Sequence, residues 1–196
     1  MRVGAVLLAS GASRRLGRPK QLLEWQGSYL INKIIETIEN SNIDELVIVL
    51  GYKHVEISKF INKPHQILIN TSWDFGKSEA IKIGLTEIAL RSDAVVFFSV
   101  DQPFLTTELI NQIILLAKSS DADIIATRSG DIVTIPMLFK KNVFCSFDGL
   151  KGEEGGKKIL LLPQYKSDFV CWSDERILID LDTEAAYQEA LQADFE

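Results

Sequence analysis

The stretch Ala5-Val6-Leu7-Leu8-Ala9-Ser10-Gly11-Ala12-Ser13-Arg14-Arg15-Leu16-Gly17-Arg18-Pro19-Lys20 decides how the rest of the chain is read. Val6-Leu7-Leu8 is a short apolar run, and within two residues it gives way to glycines, a hydroxyl and cations. The pattern predicts a buried strand that ends in a glycine-punctuated cationic loop. Such a loop is built to hold phosphate. Gly11 and Gly17 are expected to take positive φ and let backbone approach a ligand, successive N–H groups can form an anion nest, and Arg15 and Lys20 add point charges for triphosphate oxygens. The spacing fits neither a Walker loop nor a three-glycine dinucleotide fingerprint.

Outward from that loop, apolar bursts alternate with amphipathic stretches. Leu30, Ile31, Ile34, Ile35 and Ile38 recur at helical spacing, and Leu46 to Leu50 reads as the second buried strand. Val55 to Ile61 predicts a short helix, Gln66 to Asn70 a third strand, and Ser78 caps a helix to about Arg91. Ala94 to Val100 is the most apolar strand and stops abruptly at Asp101-Gln102-Pro103; Thr106 caps the helix that follows. Further strands are expected at Asp123 to Thr127, Ile132 to Ile135, Phe169 to Trp172 and Ile177 to Leu181, a helix at Lys157 to Leu162, and a last helix from Thr183. Leu138 to Phe147 fits neither period. Strands that are apolar throughout, alternating with helices, predict an α/β fold with a mostly parallel sheet covered on both faces. At 196 residues and 46% hydrophobic, the chain suits a single three-layer domain over residues 1–196.

Charge and cysteine content exclude several classes. With 27 acidic against 21 basic residues and a net charge of -6, no broad cationic face is available for nucleic acid or anionic membrane. Cys145 and Cys171 lack CxxC spacing and neighbouring histidines, which argues against a zinc site or a disulfide framework; buried thiols are expected. The start of the chain lacks the segments of a signal peptide and no apolar run reaches membrane-spanning length, so a cytoplasmic protein is expected. His54 and His65 have no partner at metal or triad spacing, and nothing resembles a nucleophile elbow.

In an open α/β sheet, ligands bind beyond the carboxyl ends of the strands, so residues just after each strand should converge. These are the first loop, then Asn70, Trp73, Gly76 and Ser78, then Asp101. Asp101 has two readings, a helix-capping acid or a Mg²⁺ ligand; Thr106 is better placed to cap, and Mg²⁺ takes one or two carboxylates plus phosphate oxygens. Pro103 holds the turn beside it.

These residues carry a resemblance. Leu8-Ala9-Ser10-Gly11-Ala12-Ser13-Arg14-Arg15-Leu16-Gly17-Arg18-Pro19-Lys20 resembles the triphosphate-binding signature of the MobA/MocA-like molybdenum cofactor nucleotidyltransferases, with Leu16 where Met is usual. Asn70, Trp73, Gly76 and Ser78, followed by Gly84-Leu85, are similar to the family's base- and sugar-binding segment. Asp101-Gln102-Pro103 is similar to its metal-binding Asp with the Gln-Pro of the cytidylyltransferase branch. Asp180-Leu181-Asp182-Thr183 resembles the element that supplies a second metal ligand, Asp182 being favoured over Asp180, although Glu184 stands where Pro is usual. Leu150 to Lys157 resembles the pterin-pocket stretch, with Glu153 for Asp and Lys157 for Arg.

The resemblance implies the fold of the nucleotide-diphosphosugar transferases, Mg²⁺, and CMP transfer from CTP to a molybdopterin phosphate with pyrophosphate released. The product would pass to a molybdoenzyme or its chaperone. In this reading Arg15, Lys20 and Asp101 are catalytic, and Asp101 and Asp182 hold the metal. Leu8, Ala9, Gly11, Ser13, Gly17, Asn70, Gly76, Ser78, Glu153 and Lys157 bind the nucleotide or acceptor. Two alternatives stand beside it: transfer to another phosphorylated acceptor, including GTP-dependent or sugar-phosphate chemistry, and a non-catalytic nucleotide or cofactor carrier.

Overall fold

The computed structural model describes residues 1–194. Seven strands form one sheet in the order β5-β4-β1-β6-β8-β7-β9. They are β1 (Val3–Ala9), β4 (Glu45–Leu50), β5 (Gln66–Ile69), β6 (Ala94–Ser99), β7 (Ile124–Ser129), β8 (Ile132–Lys140) and β9 (Ser167–Cys171). A two-residue pair, β2 (Glu24–Trp25) and β3 (Ser28–Tyr29), stands apart. The helices are α1 (Leu30–Glu39), α2 (His54–Ile57), α3 (Lys77–Ile88), α4 (Thr107–Ser119), α5 (Gly156–Leu160) and α6 (Glu184–Ala193).

Period-2 side-chain alternation explains why the central strands are apolar at every position. In β1, Val3, Ala5, Leu7 and Ala9 face one core while Val6 faces the other. In β6, Ala94, Val96 and Phe98 share the first core and Val95 and Phe97 the second. Helix α1 contributes Ile31, Ile34, Ile35 and Ile38 to the first core, joined by α4 and by Tyr187 and Ala190 of α6. Helix α3 covers the second with Ala80, Ile81, Leu85 and Ile88. Gly84 lies so close to β1 that a methyl group there would collide with Val6. The result is the expected three-layer, mostly parallel sheet.

Register sets the site. Ala9 lies opposite Leu50, Leu8 opposite Ser99, and Leu50 opposite Ile69, so β1, β4, β5 and β6 end level with one another. The chain proceeds from β1 outward through β4 to β5, then returns to the other side of β1 with β6. The order therefore reverses between β1 and β6, the position where ligands bind in sheets of this kind.

Several expectations need correcting. Strand β8 is longer than the Ile132 to Ile135 run. It continues to Lys140 and runs antiparallel to both β6 and β7, with Val95 opposite Phe139 and Ile125 opposite Leu138. The strand expected at Ile177 to Leu181 does not form: Glu175–Leu178 is a 3-10 turn entered through Asp174, and residues 179–181 leave it as irregular chain. Gly76, not Ser78, precedes α3, and Ser78 lies inside its first turn. Cys145 and Cys171 are exposed rather than buried; Cys171 ends β9, which among the described residues has only β7 beside it. Thr106 and Thr183 do cap α4 and α6, accepting from Leu109 N at 3.2 Å and Ala186 N at 3.1 Å. Among the described residues, no helix is long and apolar enough to cross a membrane.

Candidate active site

The loop after β1 folds back on Ser13. Leu16 N and Gly17 N both donate to the Ser13 carbonyl at 3.1 Å, and Lys20 N donates to Ser13 Oγ at 3.2 Å. Ser13 takes φ 51° and Gly17 takes φ 77°. The left-handed residue expected at Gly11 is thus Ser13; Gly11 lies outside that region and opens freely into the cleft. Leu16 anchors the loop in the first core. Gln21 staples it to the strand, donating Nε2 to Ala9 O at 2.7 Å and Gly11 O at 3.3 Å.

Lys20 leaves this loop at the mouth of the sheet. Its Nζ donates to Asp101 Oδ2 at 2.8 Å and to Asp182 Oδ1 at 2.9 Å. Arg15 takes the second oxygen of Asp182, Nη2 to Oδ2 at 2.7 Å. Asp182 is brought here by the backbone: Leu181 N donates to the Asp101 carbonyl at 3.0 Å, and the Thr183 cap starts α6 immediately afterwards. The side chain of Lys20 is 12% exposed and that of Arg15 72%, so the ammonium is the inner cation and the guanidinium the outer one.

The charges tune one another. Burial pushes Lys20 down, but the charges and hydrogen bonds of Asp101 and then Asp182 outweigh it and hold the ammonium above its ordinary value. Burial likewise pushes Asp182 up, yet Lys20 and Arg15 bring it below the usual carboxylate range. Asp180 keeps surface open to the cleft but has no such hydrogen-bonded partner among the described residues. Burial of its carboxyl, followed by the negative charges of Asp101 and Asp182, raises it to about 6.

These groups rim a cavity of about 660 Å³. Leu8, Ala9, Gly11, Arg15, Lys20, Gly76, Asp101, Glu153, Lys157 and Asp182 all line it. Phe97, Met137 and Phe139 give it an apolar wall, and Lys77, Lys157 and Lys158 line it together with Glu153 and Glu154, Lys158 pairing with Glu154 at 2.6 Å. Ser13, Gly17, Asn70 and Ser78 do not line it. Asn70 is fully buried, its Oδ1 accepting from Ser72 N at 3.0 Å. Ser78 is fully buried, its hydroxyl has no partner among the described residues, and its backbone N donates to Gly152 O at 3.0 Å. Both belong to the wall rather than the surface that a ligand meets.

Gly76 shows why that wall is tight. It takes φ 104°, and a Cβ there would collide with the Gly152 backbone, so the two loops touch main chain to main chain. Sequence reading missed Gln21 as the staple of the loop. It also missed what Gln102 does: this 2% exposed side chain donates Nε2 to Ile177 O at 3.2 Å, Ile135 O at 3.3 Å and Thr134 Oγ1 at 3.4 Å. Its amide nitrogen is committed to the scaffold beneath Asp101. Both glutamines directly follow a site residue, and that adjacency was the available signal.

One or two carboxylates at the edge of a cleft suit Mg²⁺, which keeps water and borrows phosphate oxygens, and Asp101 and Asp182 meet that requirement. Among the described residues no group of three or more His, Cys, Asp or Glu side chains is placed to hold a metal by itself.

A sheet that reverses order at β1/β6, with a cationic loop and an aspartate pair at the reversal, defines an α/β nucleotidyltransferase. Comparison with known proteins agrees. The chain belongs to the MobA-like NTP transferase family, whose domain pattern matches residues 5–168. It is 27% identical over 199 residues to "Purine catabolism protein PucB" of Bacillus subtilis, covering 96% of this chain and 95% of that protein. It is 35% identical over 143 residues to "Probable molybdenum cofactor guanylyltransferase" of Natranaerobius thermophilus, covering 71% and 67%. In fold it matches Rv0371c of Mycobacterium tuberculosis, with a TM-score of 0.88 over 98% of both chains at 22% identity. The manganese complex of that protein matches with a TM-score of 0.84 at 20% identity, over 98% of this chain and 100% of that one.

Proposed function

We propose that this chain moves CMP from CTP to the phosphate of a molybdopterin-type acceptor. An acceptor oxygen attacks the α-phosphorus in line, a new P–O bond forms, the bond between the α-phosphorus and its bridging oxygen breaks, and pyrophosphate leaves. The observation that carries this reading is the convergence of Lys20 with Asp101 and Asp182 at the end of the β1 loop. Such transfer needs positioning and charge neutralisation more than covalent help.

Arg15 and Lys20 bind the outer phosphates, and the open face of Gly11 leaves room for the backbone to meet them. Asp101 and Asp182 hold Mg²⁺, which when bound neutralises phosphate oxygens; the manganese complex of a fold neighbour supports a divalent ion in this fold. Leu8, Ala9 and Gly76 line the nucleotide side, while Ser13, Gly17, Asn70 and Ser78 hold its shape. Glu153 and Lys157 face the acceptor. Residues 1–196 act as one cytoplasmic domain in this proposal, handing product to a molybdoenzyme or its chaperone.

The choice of CTP rests on the resemblance of Asp101-Gln102-Pro103, while a relative is named as a guanylyltransferase. A second acceptor is favoured by one observation: Lys157, where the resemblance would place an arginine, offers the cavity an ammonium group and not a guanidinium fork. The test is pyrophosphate release with each of the four NTPs, Mg²⁺, and molybdopterin or a sugar 1-phosphate. CTP with molybdopterin should give the highest rate; release with a different acceptor alone would move the assignment, and nucleotide binding without release would make the chain a carrier.

A further inference from the structure

We infer that Lys20 is a built-in counter-ion that closes the Asp101/Asp182 pair to divalent cations until a triphosphate draws its ammonium away. Nucleotide then binds before the metal or together with it. This deepens, and rests on, the nucleotidyltransferase reading.

Geometry carries the inference. A single Nζ contacts one oxygen of each carboxylate, at 2.8 and 2.9 Å, and so occupies the space between them where a bridging cation would compete. Arg15 engages the other oxygen of Asp182 at 2.7 Å, which leaves that carboxylate with a cation on each oxygen. At 12% exposure the lysine is shielded from the solvent competition that weakens surface pairs. Release needs a rival anion within reach of the same ammonium. The cavity edge shared by Gly11, Arg15 and Lys20 is where phosphate oxygens would provide one. A lysine suits this work: its charge rides on a flexible four-carbon stem with three donors that can change partners.

The test reads metal binding, not turnover. The full chain is titrated with Mn²⁺ alone and free Mn²⁺ is followed by electron paramagnetic resonance, comparing wild type, Lys20→Met and, as a charge control, Arg18→Met. Arg18 pairs with Glu184, outside the pair in question. Lys20→Met should bind Mn²⁺ about ten-fold more tightly than wild type, and Arg18→Met within about two-fold of it. Equal or weaker binding by Lys20→Met, or an equal gain in Arg18→Met, overturns the inference.

A second measurement uses only the wild-type chain and so does not depend on a variant folding. The ¹⁵N ammonium resonance of Lys20 should shift when a non-hydrolysable CTP analogue is added without metal, and should stay in place when Mg²⁺ is added alone. A response to Mg²⁺ alone overturns the inference. Calorimetry with non-hydrolysable analogues of the four NTPs separates the two levels. If none of them binds, the nucleotidyltransferase reading falls and takes this inference with it; if one binds while Lys20→Met leaves Mn²⁺ affinity unchanged, only the counter-ion role falls.

Discussion

Lys20 and Asp101 stand 81 positions apart in sequence, yet the ammonium of one donates to the carboxylate of the other at 2.8 Å. The contact exists because β1 and β6 are parallel neighbours that end in register, Leu8 opposite Ser99, so the loops after them open on the same crevice. Sheet topology, more than local sequence, makes the pair.

Asp101→Asn keeps the side-chain shape and removes the charge. Pyrophosphate release should fall about 100-fold or more, the scale of losing a preorganised electrostatic contact to the reacting phosphates. The melting temperature should change little, because Asp182 still accepts from Lys20. Full turnover in this variant would take Asp101 out of the metal site.

Lys20→Ala removes the inner cation. KM for the nucleotide should rise about ten-fold through loss of a charge-assisted contact to phosphate. An unchanged KM, measured at saturating acceptor, would remove Lys20 from triphosphate binding.

Gly76→Ala tests the wall rather than the chemistry. Its φ of 104° is strained for any L side chain, and the added methyl meets the Gly152 main chain. Chemical denaturation should show a loss of about 1–3 kcal/mol. Gly11→Ala, whose methyl would meet nothing within 4 Å, should leave stability nearly unchanged.

Asp180 should titrate near pH 6 in the metal-free protein, readable from its ¹³C carboxyl resonance. Burial, then the charges of Asp101 and Asp182, favour its protonated form. Between the ordinary value of 3.8 and about 6 the folded chain therefore keeps a proton that the unfolded chain has lost, and stability falls as pH rises across that window. Asp180→Asn should flatten this part of the pH profile; a titration near 4 in wild type would contradict the crowding of the three aspartates.

Much of this arrangement was legible in the sequence because its signals are local. Val6 and Leu7 predict a strand buried on both faces, and the abrupt change from Val100 to Asp101 marks where such a strand meets the cleft. Strand direction is not written that way: the apolar pattern of β8 is the same whether it runs with or against β6, and its extension to Lys140 depends on pairing with Val95 and Ala94. Asn70 and Ser78 carry polar side chains just after an apolar strand and near a helix start, which reads as ligand contact, but both are fully buried, Asn70 against Ser72 and Ser78 beside Gly152. The exposure of Cys171 reflects the place of β9 at one end of the sheet order, a fact of topology invisible in a lone thiol. Asp182 was legible only through family resemblance, since its route to Lys20 runs through a backbone bond to Asp101.

The reversed course of β8 has a consequence for how the cavity can diversify. Met137 and Phe139, which line the apolar wall beside Phe97, come from the interior of that strand, whereas the phosphate-facing groups come from turns beyond strand tips. Side chains within a strand can be exchanged for others of similar bulk without redirecting the backbone that carries Lys20 and Asp101. Recutting that side of the cleft is thereby a matter of repacking a fully buried layer, while the other side keeps its chemistry.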